Sequence, residues 1–201
     1  MKRFLVIGNP IEHSLSPTLH NYWIKSNGID AIYEKQKLDD SELRLLIEQL
    51  KKRKIDGVNV TVPYKKAIIP FLDELSKEAK DTQTVNTLYL KNNKVVGHNT
   101  DIIGFETSIE KFNYDVFNKE VLILGAGGVV PSIIFALNKM KVSKIKISNR
   151  TKNKAENLKE HFKNIELTEW GEVPNVDMII NATSIGLKKE DVMKLDFSLM
   201  S

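Results

Sequence analysis

Hydrophobic and polar positions along this chain fall into short apolar runs separated by helical stripes. Phe4 to Ile7 is a compact apolar run closed by Gly8-Asn9-Pro10, which predicts a strand. Ser16-Pro17 reads as a helix cap followed by proline at the first helical position, and Asn27-Gly28 as the stop signal of that helix. Ala31 to Lys37 predicts a second strand. Leu43, Leu46, Ile47 and Leu50 form the apolar stripe of a helix opened at Asp40 or Ser41. Val58, Val60 and Val62 alternate with Asn59 and Thr61, so residues 57–62 read as a strand with one buried face. Pro63 should end it, because proline cannot donate to a sheet ladder. A helical region interrupted by Pro70 follows. A hairpin then runs from Thr84–Leu90 to Lys94–His98 across Asn92-Asn93.

A helix from Asp101 to about Phe112 carries the chain out of this first unit, and a second cycle opens at Glu120–Leu124. That apolar strand meets Gly-Ala-Gly-Gly and a helix to about Lys141. The strand Lys144–Ser148, the helix Lys152–Phe162 and a strand Val176–Ile180 come next, the last ending at Asn181-Ala-Thr-Ser-Ile-Gly186. Strand–helix alternation in both halves predicts an α/β protein with mostly parallel sheets. The expected division is an α/β domain over residues 1–100, a connecting helix and linker over 101–118, and a Rossmann-like dinucleotide-binding domain over 119–201, with a cleft between the two domains.

Composition narrows the chemistry. A hydrophobic share of 41% supports a real core, and 28% charged residues fit an ordinary surface. The net charge of +4 permits anion binding. Acidic residues are interspersed with the basic ones, so there is no polyanion stripe and nucleic acid is not an expected partner. With no cysteine, disulfides, thiol nucleophiles and thiolate zinc sites are excluded. The histidines at 13, 20, 98 and 161 show no zinc-binding spacing, so no metal is expected. No run is long enough for a secretory leader or a bilayer span, and a cytoplasmic protein without a membrane partner is the expectation.

The glycine-rich turn is the first candidate site. Gly125, Ala126, Gly127, Gly128 and Val129 lie between an apolar strand and a helix, the context in which a backbone closes on a pyrophosphate. Val130 fills the place of the last glycine in the usual fingerprint. A ligand-free glycine turn is the competing reading. Behind it, the second strand of this half ends in Asn149-Arg150-Thr151, with Lys152 and Lys154 following, where an NAD site usually has a carboxylate. A guanidinium pairs with a 2′-phosphate in a bidentate fork, so the expected cofactor is NADP(H). Arg150 as a plain surface arginine is the alternative. In the first half, Lys65 follows the strand-ending proline, where a long cation can donate to a substrate oxygen or exchange a proton. A solvated lysine beside Lys66 is the competing reading.

Four blocks together resemble the shikimate dehydrogenase family: Gly8–Pro17, Asn59-Val-Thr-Val-Pro-Tyr-Lys65, Val85-Asn-Thr87 and Gly97-His-Asn-Thr-Asp101. The glycine turn, Asn149-Arg-Thr151 and Asn181-Ala-Thr-Ser184 are similar to that family as well, in the same order. The resemblance implies reversible NADP-linked reduction of 3-dehydroshikimate to shikimate, a step toward aromatic amino acids, by a monomer or homodimer whose N-terminal domain binds substrate. It implies that Ser14 and Ser16 hold the ring carboxylate, and that Asn59, Thr61, Asn86 and Asp101 line the ring hydroxyls. It implies Lys65 and Asp101 as the catalytic pair, and Thr183 beside the cofactor. Ser16 as a helix cap, Asn86 as a turn residue and Asp101 as a helix-start carboxylate are the plainer alternatives. Gln83-Thr84 departs mildly from the family's usual Gly-Ala.

The family pattern continues past Leu195–Ser201 with another strand, a nicotinamide-side loop and helices that return to the first domain, carrying a glutamine and a tyrosine near the substrate. Their absence predicts a missing edge strand, a partly open cleft wall and an exposed apolar patch, in a truncated enzyme or a fragment. A quinate/shikimate dehydrogenase using NAD, and a binding fragment without turnover, are the other readings.

Overall fold

A computed structural model describes residues 1–186 and 190–198, in two compact units that meet in sequence between Thr100 and Asp101. The first unit contains β1 (Lys2–Gly8), α1 (Ser16–Ser26), β2 (Ala31–Lys37), α2 (Leu43–Lys51), β3 (Gly57–Val60), α3 (Tyr64–Ala67), β4 (Glu74–Leu75), α4 (Lys77–Thr82), β5 (Thr87–Lys91) and β6 (Lys94–His98). Its sheet has the order β2-β1-β3-β5-β6-β4. β1 runs parallel to β2 and β3, and β4 runs parallel to β6; β5 alone is antiparallel to both its neighbours. Leu5, Ile7, Val58, Val60 and Leu88 form one buried face, covered by Leu43, Leu46, Ile47 and Leu50 of α2 and by Tyr64 and Ile68. Val6, Ile11 and Tyr33 occupy the opposite face with Phe4 and Ile24, the latter from α1.

Several expected boundaries move, each for a local reason. The strand over 57–62 stops at Val60. Thr61 N–H still reaches the Ile7 carbonyl at 2.9 Å, but its own carbonyl accepts from Tyr64 N–H and starts a turn. Val62, expected on the buried face, is therefore 57% exposed. The helix expected to open with Ser16 as its cap has Leu15 at the cap and Ser16 as its first residue, because the Ser14 hydroxyl accepts the Ser16 N–H at 3.3 Å and turns the chain earlier. Asp39 instead makes a reciprocal cap with Glu42, ahead of a 3-10 turn (Asp40–Glu42) that feeds α2. β5 begins at Thr87, not Thr84, since Thr84 is drawn into a buried polar cluster with Thr82 and Asn99. Asn92 and Asn93 close the hairpin with φ of 50° and 60°, the left-handed values a two-residue turn demands.

The second unit contains α5 (Asp101–Lys111), β7 (Glu120–Leu124), α6 (Val130–Lys139), β8 (Lys144–Ser148), α7 (Lys152–His161), β9 (Ile165–Thr168) and β10 (Met178–Asn181). Its sheet is wholly parallel, in the order β10-β7-β8-β9. β7 is buried on both faces, which accounts for its continuous apolar run. Val121 and Ile123 pack with α6 and β8, while Leu122 and Leu124 face Val173, Ile179, Met193 and Leu195. α5 lies against α6, where Glu106 is 9% exposed and its carboxylate pairs with Lys139 at 2.7 Å. β10 is an edge strand whose Met178, Ile179 and Ile180 are half-buried. Residues 190–198 return along residues 171–173, with Asp196 bonded to Gly171 and Val173 and bridged to Glu172. β4, α4 and β9 were not expected from the sequence pattern.

Candidate functional site

Two of the substrate-side candidates, Asn59 and Asn86, meet at one end of the first sheet. Register places Asn59 opposite Thr87, and Thr87 opposite His98, in one row across β3, β5 and β6. Asn59 Nδ2 donates to the Thr87 hydroxyl at 3.2 Å and to the Asn86 carbonyl at 3.3 Å. The Thr87 hydroxyl donates to Asn86 Oδ1 at 3.0 Å, and the same oxygen accepts the Thr100 N–H at 3.0 Å. Asn59 and Asn86 are thus brought together. Asn86 does not merely turn the chain; its side chain ties the start of β5 to the segment after β6.

Ser14 and Ser16 are joined by one hydrogen bond and half-exposed, at the entry to α1. Thr61 follows β3, its methyl pressed against Gly8. A Cβ on Gly8 would meet that methyl at 2.7 Å and the Val62 carbonyl at 2.9 Å, so the loops after β1 and β3 touch only because residue 8 has no side chain. Lys65 sits in α3, half-buried, with its carbonyl held by Val85 N–H at 2.8 Å. Asp101 opens α5 as the acidic residue of its first turn, and belongs to the second unit.

One contributor escaped the sequence reading. Tyr33 of β2 is 5% exposed and donates its hydroxyl to Asn59 Oδ1 at 2.6 Å. Burial pushes its phenol up to about 12. The His20 ring stacks on it at 4.2 Å, and burial holds the His20 imidazole below its usual range. Register alone does not find this contact, since Tyr33 pairs with Phe4 and lies two strands from Asn59.

In the second unit the candidates lie at the carboxyl ends of parallel strands, where open α/β sheets bind ligands. Gly125 follows β7 with φ +110° and donates its N–H to the Ser148 carbonyl at 2.8 Å. Ala126, Gly127, Gly128 and Val129 lead into α6, whose buried Val130 occupies the last glycine place. Asn149 Nδ2 donates to the Thr151 carbonyl at 2.7 Å, closing the turn between β8 and α7. Arg150, Thr151 and Lys154 are exposed on that turn, and Arg150 has no ion-pair partner among the described residues. Thr183 follows β10 in a compact turn: its N–H and hydroxyl both donate to Asn181 Oδ1, at 3.0 and 2.7 Å. Its methyl also approaches Gly125. The described residues contain no cluster of three or more metal-ligating side chains and no helix long and apolar enough to cross a membrane.

Comparison with known proteins agrees with both units. Residues 6–88 match the shikimate dehydrogenase substrate binding domain, and residues 106–196 match the shikimate/quinate 5-dehydrogenase family. The chain is 60% identical over 200 residues to the NADP(+) shikimate dehydrogenase of Pelagibacter ubique, covering all of this chain and 76% of the relative. It is 40% identical over 197 residues to that of Aquifex aeolicus, covering 97% of this chain and 72% of the relative. The crystal structure of the Aquifex aeolicus enzyme superimposes with a TM-score of 0.88 at 38% identity, covering 100% of this chain and 76% of that one. The Thermus thermophilus enzyme in complex with NADP(H) and shikimate gives 0.88 at 31% identity, covering 100% and 75%. With both units matched, in order, at this identity, the chain belongs to the shikimate dehydrogenase family.

Proposed function

We propose that this chain binds shikimate and NADP(H) through the two strand-end clusters and interconverts 3-dehydroshikimate and shikimate. The observation that carries the reading is the pair of sites itself: a polar amide–hydroxyl row on one sheet and a glycine turn with an exposed arginine on the other. The residues present fit a 2′-phosphorylated dinucleotide. A methyl on Gly127 would meet nothing nearer than 3.9 Å, so the backbone there is open to a ligand. Arg150, Lys152 and Lys154 supply cationic donors at the end of β8, with no carboxylate in that turn to repel a phosphate. When bound, the reduced cofactor supplies the hydride.

The chain's own residues do the rest. Ser14 and Ser16 offer hydroxyls to the ring carboxylate at the start of α1, where a helix N-terminus also favours an anion. Asn59, Thr61 and Asn86 take the ring hydroxyls. Lys65 stabilises or protonates the oxygen that gains charge as the carbonyl is reduced, and Asp101 is the second member of the catalytic pair, acting on a ring hydroxyl. A cytoplasmic setting fits a cysteine-free chain of this family. Following absorbance at the NADPH band with shikimate and NADP as substrates tests the assignment. Lys65→Ala should lower turnover by ~10²–10⁴ with shikimate affinity changed far less. Near-normal turnover in that variant would remove Lys65 from the chemistry.

A further inference from the structure

We infer that Tyr33 is a positioning residue for substrate: its hydroxyl pins Asn59 Oδ1 and so steadies the hydrogen-bonded chain that runs through Thr87 to Asn86. The inference rests on the reading of Asn59 and Asn86 as ring-hydroxyl ligands. A backbone carbonyl can only accept, so the amide face of Asn59 that meets the Asn86 carbonyl at 3.3 Å must be its NH2. Asn59 Oδ1 then faces Tyr33, and the phenol must donate, at 2.6 Å. Thr87 receives from Asn59 and passes its own proton to Asn86 Oδ1 at 3.0 Å. At the far end Thr100 N–H, which can only donate, holds the same oxygen at 3.0 Å. The chain therefore has a single direction, set by the Asn86 carbonyl and the Thr100 N–H, which cannot reverse, and Tyr33 holds its Asn59 end in place.

Tyr33 is itself built to stay in place. Asn21 clamps its backbone with two hydrogen bonds, to the carbonyl at 2.7 Å and from the N–H at 2.9 Å. His20 covers the ring in a parallel stack, 4° between planes, and Trp23 meets His20 edge-on. His20, Asn21 and Trp23 all belong to α1, the helix that Ser16 opens. A phenylalanine would fill the same space without bringing a hydroxyl into a buried site, so what the phenol adds is the bond to Asn59. With its pKa raised, that hydroxyl remains a donor at any working pH. Both Asn59 N–H groups are spent inside the protein, which leaves the second lone pair of Oδ1 for a ligand. The site therefore asks for a ring hydroxyl that donates at this point.

Calorimetric titration of shikimate into the parent chain, Tyr33→Phe, Asn59→Ala and the double variant tests the inference, with NADPH titrations and melting curves alongside. Tyr33→Phe should weaken shikimate binding ~3–10-fold and leave NADPH affinity within about twofold. In the Asn59→Ala background the same substitution should change shikimate affinity less than about twofold and cost no further thermal stability, since the phenol there has already lost its partner. Equal weakening in both backgrounds would make Tyr33 a structural residue and overturn the inference. Unchanged shikimate affinity in Tyr33→Phe, with Asn59→Ala weakened, also overturns it and leaves the ring-binding reading intact. No effect of Asn59→Ala removes both. Thr87→Val cuts the chain one link further with Tyr33 untouched; a comparable loss supports the relay, and no loss ends it at Asn59.

Discussion

Gly125→Ala should damage the second unit far more than the adjacent Gly127→Ala, and the difference can be worked from the backbone. At φ +110°, residue 125 occupies a conformation that L side chains rarely adopt, a strain of about 1–3 kcal/mol. The added methyl would also lie 2.9 Å from the Ala182 carbonyl oxygen and 3.0 Å from its carbon, with the Thr183 methyl at 3.1 Å. That neighbour is backbone, and it is pinned: Ala182 N–H donates to the Leu124 carbonyl at 2.8 Å, while Gly125 N–H donates to Ser148 at 2.8 Å. Relief requires stretching one of these bonds, which adds about 0.5–1.5 kcal/mol. The sum is about 1.5–4.5 kcal/mol, or a fall in Tm of about 3–18 °C for a chain of this size. At Gly127 a methyl meets only Ala182 oxygen at 3.9 Å, ordinary contact. Gly127→Ala should stay within about 0.5 kcal/mol of the parent yet weaken NADPH binding, because the methyl stands where a pyrophosphate would approach. The two tryptophans, Trp23 and Trp170, fall one in each unit. A Trp23→Phe background therefore lets urea titration by Trp170 fluorescence report the second unit by itself. Equal stability of the two glycine variants would refute the reasoning.

Three further outcomes follow from the same geometry. Arg150→Ala should raise the Michaelis constant for NADPH well beyond that for NADH, and equal effects on the two cofactors would sink the 2′-phosphate assignment. In a Trp170→Phe background, Asn99→Ala should cost the first unit about 2–3 kcal/mol by urea titration through Trp23 fluorescence. Its buried amide donates to the Thr84 hydroxyl at 2.8 Å, the Thr82 hydroxyl at 3.0 Å and the Thr84 carbonyl at 3.2 Å, and these acceptors lose a donor away from water. His20 should make stability fall on mild acidification. Burial lowers its folded pKa below the unfolded 6.5, so the unfolded chain binds more protons in the window just under pH 6.5, and stability present above it is lost as pH falls. His20→Phe should flatten that part of the Tm–pH curve while keeping the stack; an unchanged slope would assign the effect elsewhere.

Much of this was legible in the chain because period and punctuation agreed. β2 runs from Ala31 to Lys37 as its pattern predicts, and β7, β8 and the hairpin strand β6 keep their expected bounds. What failed did so where tertiary contacts overrode the local signal. Val62 continues an alternating pattern, yet the pull of the Thr61–Tyr64 turn and the bond from Asn9 N–H to its carbonyl take it off the sheet. β4 is two residues long and β9 carries Glu166 between apolar neighbours, too little period to read. The site followed the same rule. Candidate residues such as Lys65 and Arg150 stand out by their neighbours in sequence, whereas the bond from Tyr33 to Asn59 spans two strands.

The single reversed strand explains why the first unit can assemble a polar site at all. β1, β3 and β6 all deliver their carboxyl ends to one edge of the sheet, which accounts for Gly8, Thr61 and Thr100 but not for Asn86, which precedes a strand. Only because β5 runs antiparallel does its amino end arrive at that edge, putting Thr87 opposite Asn59 and His98. A parallel β5 of the same length would carry Asn86 to the far side of the sheet, about 15 Å away at ~3.3 Å per residue. The tight Asn92-Asn93 turn therefore has a consequence at the candidate site beyond closing a hairpin. It fixes the register of β5 on β6, and a slip of one residue would send Thr87 to the opposite face and break the link between Asn59 and Asn86.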